Sequence, residues 1–118
     1  MKISEIRERL GATVICGEES LDREVYAACG SDMMSDVLAF VKDQAVLLTG
    51  LVNAQVVRTA EMMDMVCVVF VRNKQPTEEM VSLARAHGLV LMSSSKRMYE
   101  ACGILYAGGL QRGEEDHE

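Results

Sequence analysis

The chain is short of rigid anchors. Its 118 residues hold no tryptophan, two phenylalanines and a single proline, Pro76. Nine methionines stand where rings are missing, which predicts a core of soft, unbranched fillers. No apolar run approaches the ~20 residues that a membrane-spanning helix needs. The stretch Met1 to Leu10 is charged and amphipathic and lacks the uninterrupted apolar segment of a signal peptide, so a cytoplasmic setting is expected. Clusters of lysine and arginine are missing too. The net charge is −6; residues 111–118 set Arg112 against Glu114, Glu115, Asp116 and Glu118, and that local −3 leaves −3 on residues 1–110. Nucleic acid needs basic clusters to displace its counterions, so neither nucleic acid nor a membrane is expected as a partner.

Chemical motifs are equally sparse. Cys16, Cys29, Cys67 and Cys102 form no Cys-x-x-Cys pair, and His87 and His117 are the only histidines. Three of the cysteines fall in or at the end of apolar strand-like runs, and Cys102 falls on an apolar helical face. They read as buried thiols rather than metal ligands or a disulfide framework. No Gly-x-x-x-x-Gly-Lys, Gly-x-Gly-x-x-Gly or Gly-x-Ser-x-Gly occurs. His87 closes an apolar helical stripe just before Gly88, and Asp32 and Asp36 have the spacing of one solvated helix face. No catalytic group, metal site or cofactor is expected.

What is present is alternation, centred on Gln44 to Arg72. An apolar run, Ala45 to Leu48, ends at Thr49-Gly50. A helical segment from Asn53 to Met63 follows, facing inward with Val56, Val57, Ala60 and Met63, and a second apolar run spans Met65 to Val71. Short β-rich runs on either side of a helix make a βαβ unit. Before it come a helix on Ile3, Ile6 and Leu10 stopped by Gly11, a strand at Thr13 to Cys16, and a strand from about Glu24 to Cys29. Ser31 or Asp32 then caps a helix facing inward with Met33, Val37, Leu38 and Val41. After it, Thr77 opens a helix striped by Met80, Leu83, Ala84 and His87, and Leu89 to Met92 is a last strand. One of Ser93, Ser94 or Ser95 caps a final helix carrying Met98, Tyr99, Cys102, Leu105 and Tyr106. The expected fold is a single α/β domain over residues 1–110, a mostly parallel sheet flanked by helices in the order α-β-β-α-β-α-β-α-β-α. Residues 111–118 have no apolar face to bury and are expected to be disordered.

Ligands of open α/β sheets bind beyond the carboxyl ends of the strands. Those ends here run through Ser31, Thr49, Gly50, Asn53, Arg72 and Ser94, with Lys74, Lys96 and Arg97 near by. Helix N-termini and cations of this kind suit a phosphate-bearing or carboxylate ligand. Capping alone also accounts for the Ser, Asp and Asn. The apolar stripe of the last helix, with Tyr99 and Tyr106, is core unless one domain cannot cover it, in which case it is a dimer surface.

The order of pieces resembles the DRTGG domain family. It is carried by Gly30-Ser31 before a helix, Val-Leu-Leu-Thr-Gly with a helix soon after, Val-Val-Phe-Val-Arg-Asn-Lys-Gln-Pro, Glu-Glu-Met-Val-Ser-Leu-Ala-Arg-Ala-His-Gly-Leu-Val-Leu-Met-Ser, and a closing helix. Gly50-Leu51-Val52-Asn53 stands where the family tends to have Gly-Asp-Arg, and Val71-Arg72-Asn73 where it tends to have Thr-Gly-Gly, so the signature is degenerate, and a stand-alone copy is expected. The resemblance implies a regulatory or architectural role, often dimeric, with no activity of its own; such domains are found fused to CBS pairs in regulatory proteins and pyrophosphatases, and in phosphate acetyltransferases. The reading is a non-catalytic regulatory, sensing or dimerisation module, a homodimer serving a metabolic or redox enzyme. Its alternative is a nucleotide- or anion-binding sensor using the rim. An enzyme of phosphoryl or acyl transfer would need a nucleophile beside a base.

Overall fold

All five residues of the strand Ala45–Thr49 are buried, which is why the run from Ala45 to Leu48 is apolar without interruption. A computed structural model describes residues 1–40 and 43–111; the expected inward-facing Val41 and the tail from Arg112 on, His117 included, lie outside these. The elements are α1 (Ile3–Leu10), β1 (Thr13–Cys16), a 3-10 turn (Glu18–Ser20), β2 (Ala27–Gly30), α2 (Met34–Leu38), β3 (Ala45–Thr49), α3 (Ala54–Met62), β4 (Cys67–Phe70), α4 (Glu78–His87), β5 (Val90–Ser93) and α5 (Met98–Ala107). This is the expected order.

The strands lie side by side as β1-β5-β4-β3-β2. From β2 to β5 every pairing is parallel, and β1 joins β5 antiparallel. The sheet is therefore mixed rather than purely parallel. Side chains alternate between two layers. Ala45, Leu47, Val68 and Phe70 meet α2, α3 and α4 through Val37, Val56, Ala60, Met80 and Ala84. Val46, Leu48, Val69 and Met92 meet α1 and α5 through Ile3, Ile6, Leu10, Ala101 and Leu105. Each large side chain fully buried this way contributes roughly 1.5–3 kcal/mol.

Helix ends follow local chemistry. Gly11 (φ 58) and Gly88 (φ 70) stop α1 and α4 in the left-handed region. Asn53 Oδ1 accepts the Gln55 N–H at 2.9 Å, and Thr77 Oγ1 accepts the Met80 N–H at 3.2 Å.

Four local expectations are corrected. β2 begins at Ala27 rather than Glu24, because Glu24 and Val25 are drawn aside to the N-terminus: the Met1 ammonium donates to both, and Lys2 bridges Glu24. α2 is only five residues long and is capped by neither Ser31 nor Asp32. A helix that short presents a single inward position, Val37, and leaves Met33 60% and Leu38 46% exposed. α5 starts at Met98 without a side-chain cap, since the hydroxyls of Ser93 and Ser94 bind other loops. Finally, α5 turns Ala101 and Leu105 inward and leaves Tyr99 and Tyr106 outside.

Candidate functional site

The parallel strands β2 to β5 all deliver their carboxyl ends to one edge, and the loops there are laced together. Asp32, just past β2, reaches β3: one carboxylate oxygen accepts the Thr49 hydroxyl at 3.1 Å and the Gly50 N–H at 2.6 Å. Thr49 Oγ1 in turn accepts the Leu51 N–H at 3.1 Å. Beyond β4, Arg72 (φ 57) and Asn73 (φ 59) are successive non-glycine residues in the left-handed region. Such a conformation costs roughly 1–2 kcal/mol per residue. Here it aims the Arg72 N–H at Lys96 O and the Asn73 N–H at Ser94 O, both at 2.8 Å. The Ser93 hydroxyl donates to Lys74 O at 2.8 Å and accepts from Gln75 Nε2 at 3.0 Å.

The six rim residues named from sequence all lie along this edge, but they do different things. Thr49 and Ser94 are buried. The Ser94 hydroxyl donates to Leu10 O at 2.7 Å and accepts the Lys96 N–H at 3.1 Å, fastening the end of β5 to the end of α1. Ser31 folds its hydroxyl back onto Met33 N–H at 3.0 Å, and the Asn53 side chain caps α3. Gly50 and Arg72 remain at the surface together. A Cβ at position 50 would come within 2.7 Å of an Arg72 guanidinium nitrogen, so the glycine makes room for that cation.

Sequence reasoning placed Asp32 at a strand end as a possible helix cap and gave it no part in the site. Its spacing to Asp36 suggested a solvated helix face, whereas it lies before α2 and occupies the donors an incoming anion would use at Thr49 and Gly50. The signal available was its place directly after a strand, where a carboxylate can tie down the neighbouring loop.

The opposite edge carries a depression of about 320 Å³, lined among others by Arg23, Asp43, Glu61, Asp64 and His87. His87 is exposed rather than part of the α4 core stripe, and its Nδ1 lies 2.6 Å from a Glu61 carboxylate oxygen. Among the described residues no group of three or more His, Cys, Asp and Glu is arranged to hold a metal ion. Cys16 and Cys67 are buried, as expected, while Cys29 and Cys102 are only half-buried. Burial pushes all four thiols up from their ordinary range, Cys67 furthest, which keeps them protonated and weakly nucleophilic. No helix among the described residues is long and apolar enough to cross a membrane.

Comparison with known proteins agrees with this architecture. The fold matches a crystal structure of the CBS and DRTGG domains of the regulatory region of Clostridium perfringens pyrophosphatase, complexed with the activator diadenosine tetraphosphate. The TM-score is 0.72 at 15% identity, and the match covers 88% of this chain but 45% of that one, so the chain spans less than half of its relative. No curated protein matches the chain in sequence. The family model of the DRTGG domain matches residues 5–107. That span takes in all five strands and every helix but the first two residues of α1, and the chain belongs to the DRTGG domain family.

Proposed function

We propose that the chain is a regulatory module that runs no reaction of its own and acts in the cytoplasm through contacts with a metabolic or redox enzyme. One observation carries this reading. At the edge where α/β proteins place their chemistry, the polar side chains of Asp32, Thr49, Asn53, Ser93 and Ser94 are engaged by their own loops. His87, the histidine among the described residues, lies at the other edge beside Glu61. Nucleophile and base are thus kept apart, and a reaction needs them within hydrogen-bond reach. Family membership and a solved relative that is itself a regulatory region support the reading.

The test is an assay of the enzymes encoded beside this chain, each with and without equimolar protein. A changed rate or changed effector response supports regulation. Turnover by the chain alone, lost in Ser94→Ala, would overturn it.

A second reading, a nucleotide or anion sensor, draws on the Arg72 guanidinium over Gly50 and on the activator held by the solved relative. Calorimetry with AMP, ATP and diadenosine tetraphosphate separates the two. Heat that disappears in Arg72→Ala favours the sensor. Silence across the panel favours the contact module.

A further inference from the structure

A glycine inside a helix weakens it relative to alanine, because it has more backbone freedom to lose. Gly103 stands midway along α5, exposed, and a Cβ there would meet no heavy atom within 4 Å. Packing within the chain gives no reason for it. What the missing side chain leaves is a bare notch on the helix surface. Tyr99, four residues before, and Tyr106, three residues after, share its face of the helix and stand to either side of the notch. They are 94% and 60% exposed. Together with Gly103 they line an open apolar depression of about 650 Å³. The two rings are seven residues apart, roughly 10 Å along the helix axis. Two turns of one helix offer far less than the roughly 1,000 Å² that a protein interface buries. A single flat ring, stacked on tyrosine, covers them.

The head of the same helix is positive. Lys96 lies three residues before Tyr99, and Arg97 is the residue from which α5 starts. Lys96 O accepts the Arg72 N–H at 2.8 Å, which brings the end of β4 to the start of α5. Arg72 and Arg97 are exposed and enter no ion pair among the described residues, while the Lys96 ammonium stands 3.9 Å from the Glu100 carboxylate. On a chain of net charge −6, these three cations make a place where an anion is drawn rather than repelled. Asp32 has taken the donors at Thr49 and Gly50, so these side chains are what the edge still offers an anion. A flat apolar surface next to arginines and a lysine suits a ligand with a planar base and several negative charges.

We infer that α5 carries a nucleotide site, with the base stacked over the Gly103 notch between Tyr99 and Tyr106 and the phosphates on Lys96, Arg97 and Arg72. The inference rests on the sensor reading above and adds the half of the site that holds the base. From Arg97 to Gly103 is six residues, about 9 Å of helix, a distance that a nucleoside triphosphate spans. A side chain at position 103 would take the place of the base, which accounts for a glycine that the fold itself does not require.

Calorimetry on the full chain with ATP, adenosine and inorganic tripolyphosphate tests this. ATP should bind ~tenfold or more tighter than either half-ligand, since each engages one part of the site. Tyr99→Ala and Gly103→Gln should each weaken ATP by ~tenfold or more, the usual share of one stacked base, and leave tripolyphosphate unchanged. Tyr99→Phe, which keeps the ring, should bind ATP like wild type. Gly103→Gln should also raise the thermal midpoint, because glutamine is the better helix former; loss of ATP binding in a more stable protein cannot be ascribed to misfolding. ATP and tripolyphosphate binding equally well would overturn the inference, as would ATP binding indifferent to Tyr99→Ala and Gly103→Gln; both results leave the anion-sensor reading standing. Silence from ATP and tripolyphosphate alike would remove the inference and that reading together.

Discussion

The carboxylate of Asp32 accepts the Gly50 N–H at 2.6 Å across the mouth of the sheet, joining the end of β2 to the end of β3. A glycine amide and a threonine hydroxyl that could have received a ligand's anion are held instead by the protein's own charge. Removing that acceptor leaves both donors to water. Asp32→Ala is expected to lower stability by roughly 1–3 kcal/mol, with Asp32→Asn losing less because its amide oxygen still accepts. The midpoint of urea denaturation measures this, and an unchanged midpoint in Asp32→Ala would refute the tie.

Thr59 offers a change in the other direction. It lies in α3, fully buried, and its hydroxyl is the buried side-chain oxygen without a hydrogen-bond partner among the described residues. Thr59→Val keeps the shape and removes the unsatisfied group. Stability should rise by about 1 kcal/mol, read as a higher thermal midpoint; a drop would mean that the hydroxyl is satisfied in solution.

Two glycines separate backbone strain from collision. Gly11 (φ +58) has open space where a Cβ would go, so Gly11→Ala carries only the left-handed strain, about 1–2 kcal/mol. At Gly17 (φ +91) a Cβ would come within 2.9 Å of the Val90 backbone at Cα. Gly17→Ala should therefore be clearly the more damaging of the pair, and equal midpoints for the two variants would contradict the packing of β1's end against β5.

Thiol reactivity should follow depth. Cys29 and Cys102 are half-buried, and Cys16 and Cys67 are covered. Burial raises all four, so even the accessible pair should react slowly at neutral pH and faster as pH rises. Mass spectrometry after limited alkylation of the native protein should find the label on Cys29 and Cys102 first. Early label on Cys67 would show that the core opens.

Acid should loosen the first turn of the chain. The Met1 ammonium, 2.6 Å from Glu24, hydrogen-bonds its carboxylate and holds it below its ordinary 4.5. Because the folded value lies below the unfolded one, the pair's contribution is present above pH 4.5 and fades as pH falls through the folded value. The difference in thermal midpoint between wild type and Glu24→Gln should be visible at neutral pH and vanish in stronger acid. A difference that persists there would assign the effect to packing.

Much of the fold was legible from spacing alone. The run Val-Leu-Leu-Thr and the stripe Val56, Val57, Ala60 state their secondary structure because burial on both faces, or on one, leaves a periodic trace. β1's partner left no such trace, since an antiparallel edge strand and a parallel one alternate alike. The last helix misled for a related reason: it is apolar nearly all round, so composition could not say which way Tyr99 and Tyr106 point.

The site divides in the same way. The positions of Ser31, Thr49, Gly50, Asn53, Arg72 and Ser94 along one edge follow from the βαβ alternation, which the chain's own hydrophobic period determines. What each of them does was decided only when the loops met. Ser94 is 84 residues from Leu10, whose carbonyl it binds, and Asp32 is 18 residues from Gly50. Hydrogen bonds between such distant positions leave no mark on local periodicity; they exist because the sheet stacks four strand ends side by side, and that stacking is a property of the tertiary structure.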